Sequence, residues 1–313
     1  MYSDSDENNN DASNNNDETR NNARSSIEIE IPVSMSGDVT QETIDTIRRG
    51  ISRLATARMS RNTNDDDDDD DNDEDFVITE DNELRQSRLV YTILQSCVNG
   101  NIDSVRRIIA DNRELCSARD DDNDTLLHAG VLSDNETLVR YLVNELSIPI
   151  NSHNSDRCTP LHYAVFTKSL RTTTLLLNAG AFIDCQDAAG RTPLMLACQN
   201  NDSDIVQLLL DRGASVRCFD LCGENALHHA SRNKCLSCIR HLIRNTDCEL
   251  ISKNNFEETA LHIACGTGSH TSVRFLLEAG ADPDAKTKFG KTPSDYISRD
   301  NARLRTLVSS HMR

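Results

Sequence analysis

No stretch of this chain approaches the roughly 18–20 consecutive apolar residues needed to span a bilayer. The N-terminus has no basic-then-apolar pattern of a secretory signal. Lysine is absent until Lys168, and no basic stripe balances the acidic excess, which argues against nucleic acid as a ligand. No nucleophile elbow, glycine-rich phosphate loop, His-Glu-x-x-His or paired-carboxylate motif is present, so intrinsic enzymatic activity is not expected. Eleven cysteines are an odd count spread over different sequence frames, and they read as reduced thiols, mostly small core hydrophobes. A soluble protein of the cytoplasm, the nucleus or both is expected, without stable membrane insertion.

The net charge of −18 is not shared evenly. Residues 1–84 carry 24 Asp and Glu against 7 Arg, whereas residues 85–313 carry 27 acidic against 26 basic residues. The first segment is mostly Asn, Asp, Ser and Glu, too poor in apolar residues to offset the entropy of ordering, and is expected to be disordered. Three islands interrupt it. Ile27, Ile29, Ile31 and Val33 alternate with Glu28, Glu30 and Pro32, a period that suits a strand added to a partner sheet. Ile44, Ile47, Ile51 and Leu54 share one helical face, which predicts a short basic amphipathic helix over 40–61. After the unbroken run Asp65–Asp71 come Phe76, Val77 and Ile78, an apolar patch among acids that resembles a SUMO-interacting motif, where it would pair as a strand.

What dominates the remainder is repetition. TLLHAG starts at Thr125, TPLHYA at Thr159, TPLMLA at Thr192, NALHHA at Asn225, TALHIA at Thr259 and TPSDYI at Thr292. In the unit from Asp187, Gly190 suits a turn with positive φ, Thr192 can cap a helix, and Pro193 fits its first position. Leu194 and Ala197 face inward, Ile205, Val206, Leu208 and Leu209 form a second helix, and Gly213 ends it. A period of about 33 residues carrying Thr-Pro-Leu-His-x-Ala resembles the ankyrin-repeat family over roughly residues 85–313. Glycine is missing from the turn at Asn123, Arg157 and Glu257, and Asn225-Ala226 stands in place of Thr-Pro.

That resemblance implies an all-α ankyrin-repeat solenoid of helix-turn-helix units with hairpin turns, preceded by the disordered acidic region. The expected divisions are an N-cap at 85–120, units at 121–154, 155–187, 188–220, 221–254 and 255–287, and a C-cap at 288–313. Polar Ser294 and Asp295 suit a face that no further repeat covers.

Two patterns mimic metal sites. His128, His162, His228 and His262 recur once per unit, too far apart to share a zinc ion, and in the family resemble struts near the start of the first helix. Cys218, Cys222, Cys235 and Cys238 have zinc-ribbon spacing, but a first helix of roughly 12 Å would separate Cys222 from Cys235. No metal and no cofactor is expected.

The resemblance implies a non-catalytic scaffold or adaptor, expected to be monomeric, that holds one or more proteins of unknown identity on the concave side. The residues not committed to stacking are the candidates. On the turns these are Ser155, Asp156, Ala188, Ala189, Leu221, Cys222, Asn255, Phe256, Lys288 and Phe289. On the first helices they are Tyr163, Phe166, Thr167, Gln199, Asn200, His229, Arg232, Asn233 and Ile263. Leu221, Phe256 and Phe289 are apolar where solvent favours polar residues, which marks them as anchors. An alternative is a regulatory inhibitor of a transcription factor: an acidic tail before about six repeats resembles the inhibitors of NF-κB. The Asp-Ser-Gly-x-x-Ser degron of that family is not found, and its N-terminal ubiquitin acceptor has no Lys here. Further alternatives are a substrate-recruiting subunit of a larger complex, such as a ubiquitin ligase or an enzyme assembly.

Overall fold

A computed structural model describes residues 74–245 and 250–312. The islands at 27–33 and 40–61 and the Asp65–Asp71 run lie outside the described residues. Phe76, Val77 and Ile78 lie inside the long helix α1 (Glu74–Val98) rather than in an extended strand, which corrects the strand expected for them. α1 is followed by α2 (Ile102–Asp111) and a short 3-10 turn, Arg113–Ser117.

Paired helices then repeat: α3 (Leu126–Leu132) with α4 (Glu136–Arg140), which passes into a π turn at Tyr141–Glu145, and α5 (Pro160–Phe166) with α6 (Leu170–Asn178). Next come α7 (Pro193–Gln199) with α8 (Ser203–Asp211), α9 (Ala226–Arg232) with α10 (Leu236–Asn245), and α11 (Ala260–Thr267) with α12 (His270–Glu278). A 3-10 turn, Pro293–Tyr296, and α13 (Ala302–Ser309) close the series. Among the described residues there is no strand, only the isolated bridge of Arg119 with Thr125. No described helix is long and apolar enough to cross a membrane.

Each first helix is short because its start is chemically fixed. Thr125, Thr159, Asn225 and Thr259 sit at the N-cap with extended backbone, and the His three residues on returns a bond to the cap backbone. The hairpin turn ahead of each first helix has its own fastener, an Asx-type turn. Asp187 Oδ1 accepts the N–H groups of Ala189 (2.9 Å) and Arg191 (2.8 Å). Asp120, Asn154, Asp220 and Asn254 do the same for their own turns, and Thr287 does so with its hydroxyl. The turn then needs a left-handed residue, supplied by Gly190 and Gly223 but also by Arg157 (φ 58) and Glu257 (φ 58). At Gly223 only glycine fits, because a Cβ would stand 2.9 Å from the Asn255 backbone nitrogen.

The interior is aliphatic and built by neighbours. Leu194, Ala197, Ile205, Val206 and Leu209 have no exposure at all, while Leu208 is half-buried. Fully burying one such Leu or Ile contributes about 1.5–3 kcal/mol. A single helix pair cannot bury both of its faces, so that gain exists only in the stack. At the N-terminal end α1 supplies Ile93, Leu94, Cys97 and Val98 to the core. At the other end the strut histidine is replaced by Asp295, whose carboxylate accepts from Thr292 N at 2.7 Å in an exposed position.

Second helices start on Asn101, Asn135, Ser169, Asp202, Ser269 and Asn301. In α10 that place belongs to Cys235, and its sulfur is bonded to that of Cys238. This corrects the expectation that these two cysteines are reduced thiols; Cys97 and Cys265 are unpaired and buried, as expected.

Candidate functional site

The hairpin tips of successive units are joined backbone to backbone. Ser155 N donates to Asp122 O (2.8 Å), Ala188 N to Asp156 O (2.8 Å) and Leu221 N to Ala189 O (3.0 Å). Asn255 N donates to Cys222 O (3.0 Å) and Lys288 N to Phe256 O (3.0 Å). These bonds hold the tips in a fixed row, and all ten turn residues singled out from the sequence are exposed on it. Leu221 is 73% exposed, Phe256 54% and Phe289 69%. The row changes character along its length: Asp121, Asp122 and Asp156 at the first tips give way to these apolar residues and to Lys286, Lys288 and Lys291.

Behind the tips the strut histidines tie one unit to the next. Thr125 N and Thr125 Oγ1 both donate to His128 Nδ1, at 3.1 and 2.9 Å, while Nε2 faces Cys158 O at 3.1 Å. Two donors on Nδ1 and a carbonyl at Nε2 require a neutral ring with its proton on Nε2. His162 and His262 repeat the arrangement onto the carbonyls of Arg191 and Lys291, while His228 accepts from Asn225 N alone at Nδ1 and reaches the Glu258 carbonyl through Nε2. Burial lowers the affinity of all four rings for a second proton, and His128 falls to about 4. The third unit carries Met195 at this place, so this strut is missing between it and the next.

The first-helix candidates divide. Phe166, Thr167, Gln199 and Asn233 are half-buried and Arg232 is exposed. Asn200, His229 and Ile263 are buried at 5%, 7% and 6%, which corrects the expectation that they face a partner. Asn200 and His229 turn polar atoms into the array. Asn200 Nδ2 donates to Val165 O at 3.1 Å, and His229 Nε2 lies 2.9 Å from Asp220 Oδ2. Half-buried Tyr163 donates its hydroxyl to Asp124 Oδ2 at 2.8 Å and accepts from Asn154 Nδ2 at 3.1 Å. Burial, followed by the nearby Asp120 charge, pushes Asp124 up to about 7. At Asp220 burial pulls upward, but the His229 ring and the Glu224 backbone N–H outweigh it and the net shift is downward.

Among the described residues one group has ligand-like proximity: single atoms of Asp220, Glu224 and His229 lie within 4.8 Å of one another. Its carboxylates are already engaged, because Arg232 pairs with Glu224 and the His229 ring hydrogen-bonds Asp220. Of the ribbon-spaced cysteines, Cys222 is exposed on a tip, and Cys235 and Cys238 are bonded to each other.

Comparison with known proteins agrees with this architecture. A family model described as "Ankyrin repeats (3 copies)" matches residues 93–187, 172–253 and 194–287. The chain is 34% identical over 195 residues to the human B-cell lymphoma 3 protein, covering 60% of this chain and 36% of that one. It is 31% identical over 187 residues to the mouse homologue, covering 58% and 35%. The chain therefore spans about a third of the length of these relatives. A crystal structure of the ankyrin repeat domain of Bcl-3, described as a unique member of the IkappaB protein family, superposes with a TM-score of 0.61. It is 25% identical and covers 70% of this chain and 97% of that one.

Proposed function

The chain belongs to the ankyrin-repeat family, and on that premise we propose that it is a non-catalytic, monomeric protein-binding module that captures its partner on the hairpin tips. The supporting observation is the row of exposed Leu221, Phe256 and Phe289 on a backbone-bonded ladder, with Lys286, Lys288 and Lys291 beside it. Three apolar side chains left in water by a scaffold that holds them rigidly cost a partner little ordering entropy. Polar neighbours Ser155, Asn255 and Arg232 form the rim, and the units are those delimited at 121–154 through 255–287.

A second reading, a cytoplasmic or nuclear regulatory inhibitor of a transcription factor, is favoured by the similarity to the B-cell lymphoma 3 proteins and to a domain of the IkappaB family. Titration of the full chain with a purified NF-κB subunit tests it, and absence of binding rejects this second reading. The triple variant Leu221→Asp, Phe256→Asp, Phe289→Asp tests the tip surface. Loss of such anchors is expected to weaken capture by about a hundredfold or more, with no fall in melting temperature. Unchanged affinity in that variant contradicts the tip assignment.

A further inference from the structure

Five of the described second helices begin on a side-chain oxygen that accepts the N–H of the residue three positions on, at Asn101, Asn135, Ser169, Asp202 and Asn301. Asn101 receives Ser104 N at 3.1 Å, Ser169 receives Thr172 N at 3.3 Å, and Asp202 receives Ile205 N at 3.1 Å. In α10 the acceptor is the Cys235 sulfur, which receives Cys238 N at 3.1 Å. Sulfur is a poor acceptor, so capping alone does not account for a cysteine at this place. The residue three positions on supplies the rest. In two units the cap and that residue are bonded hydroxyls: Ser169 with Thr172 at 3.0 Å, and Ser269 with Ser272 at 2.8 Å. Cys235 and Cys238 hold the same two places, with Cα atoms 5.3 Å apart, inside the range a disulfide spans. The frame thus brings these two side chains into contact whether they carry oxygen or sulfur, so bonded and unbonded sulfurs fit the same backbone.

We infer that Cys235 and Cys238 are a reversible dithiol–disulfide couple that ties or releases the first turn of α10. The oxidant is a small-molecule disulfide of the glutathione class. The Cys235 thiolate attacks one sulfur of that disulfide, breaking its S–S bond and expelling one thiolate. The Cys238 thiolate then attacks Cys235 Sγ of the mixed disulfide, forming the internal S–S bond and expelling the second thiolate, which takes up a proton. Two protein thiols are oxidised and one small disulfide is reduced to two thiols. Cys235 is 2% exposed and Cys238 not at all, so exchange proceeds through opening of this turn. Because Ile239 and Leu242 of α10 are fully buried, tying its first turn tightens a helix that two neighbouring units pack against.

The test equilibrates the full chain in graded ratios of reduced to oxidised glutathione, quenches with an alkylating agent and reads the Cys235–Cys238 peptide by mass. Amide exchange over α10 is followed in parallel. The expected result is a reversible loss of two hydrogens from that peptide, with α10 amides exchanging about tenfold slower when oxidised. The control Cys235→Ser, Cys238→Ser rebuilds the Ser269–Ser272 pair and should abolish the redox dependence. Two fully alkylated cysteines at every ratio overturn the inference, as does a bond that excess reduced glutathione never opens in the folded chain. A redox-dependent α10 in the double-serine control overturns it too. If that control does not fold, the mass readout on the native chain decides alone.

Discussion

Replacing His128 by Met removes a strut while keeping a side chain that the array already accepts at Met195. His128 has no exposure and makes the bonds to Thr125 and to the Cys158 carbonyl described above. Losing the bond between units costs about 1 kcal/mol at neutral pH, because the Cys158 carbonyl keeps its bond from Asn154 N. The more discriminating quantity is how this cost varies with pH. An unfolded chain protonates this ring near 6.5, whereas burial delays protonation in the folded chain to about 4. The folded pKa is therefore depressed, so the histidine's contribution is complete above pH 6.5. It is lost at about 1.4 kcal/mol per pH unit as pH falls toward 4, or about 3 kcal/mol in all. The methionine variant lacks this titration, and Asp120 and Asp124 titrate in both proteins and largely cancel. Urea unfolding followed by circular dichroism at steps from pH 7.5 to 4.5 should show the variant weaker at neutral pH and equal or stronger at pH 4.5. A stability difference that stays constant across that range refutes the neutral-strut reasoning.

Other substitutions probe other joints. Asp124→Asn should raise the melting temperature at pH 8 but not at pH 5. The native aspartate is buried, its pKa is raised to about 7, and its ionisation weakens the fold as pH rises through that value; an equal gain at both pH values contradicts this. Gly223→Ala places a Cβ 2.5 Å from Asn255 Oδ1 at φ 73 and should cost about 1–2 kcal/mol or more in urea unfolding. Gly213→Ala, which meets nothing within 4 Å, should cost only the φ strain. Met195→His should supply the missing strut to the Glu224 carbonyl and add about 1 kcal/mol of stability at pH 7.5, absent at pH 4.5.

The helix pairs were legible because their starts are written in side chains: Thr159-Pro160 and Thr192-Pro193 place a cap and a first-position proline at fixed spacing. The tips were legible for the same reason, since Leu221, Phe256 and Phe289 sit in turns where solvent exposure is the default. What was not legible lies between units. The far end of each strut is a backbone carbonyl, such as Arg191 O for His162, and a carbonyl leaves no mark in the sequence. Asn200 reads as a helix-end surface residue until the preceding unit is in place, because its partner, Val165 O, lies 35 residues away. His229 reads as exposed for a similar reason: it folds back onto Asp220, which its own helical periodicity does not reveal. Phe76, Val77 and Ile78 are β-favouring residues beside acids, yet they continue a helix whose C-terminal turns pack Ile93 and Leu94 into the core. Cys235 and Cys238 escaped because an odd count argues about the whole chain and says nothing of one pair set three residues apart at a helix start.

Capture at the tips is tested most directly by a photo-reactive amino acid placed singly at Phe256 or Phe289, and as controls at exposed Ser237 of α10 and Thr271 of α12. Irradiation in cells should yield a discrete cross-linked partner from the two tip positions and none from the outer helices. Cross-linking from Ser237 and Thr271 with none from the tips would contradict the binding surface described above.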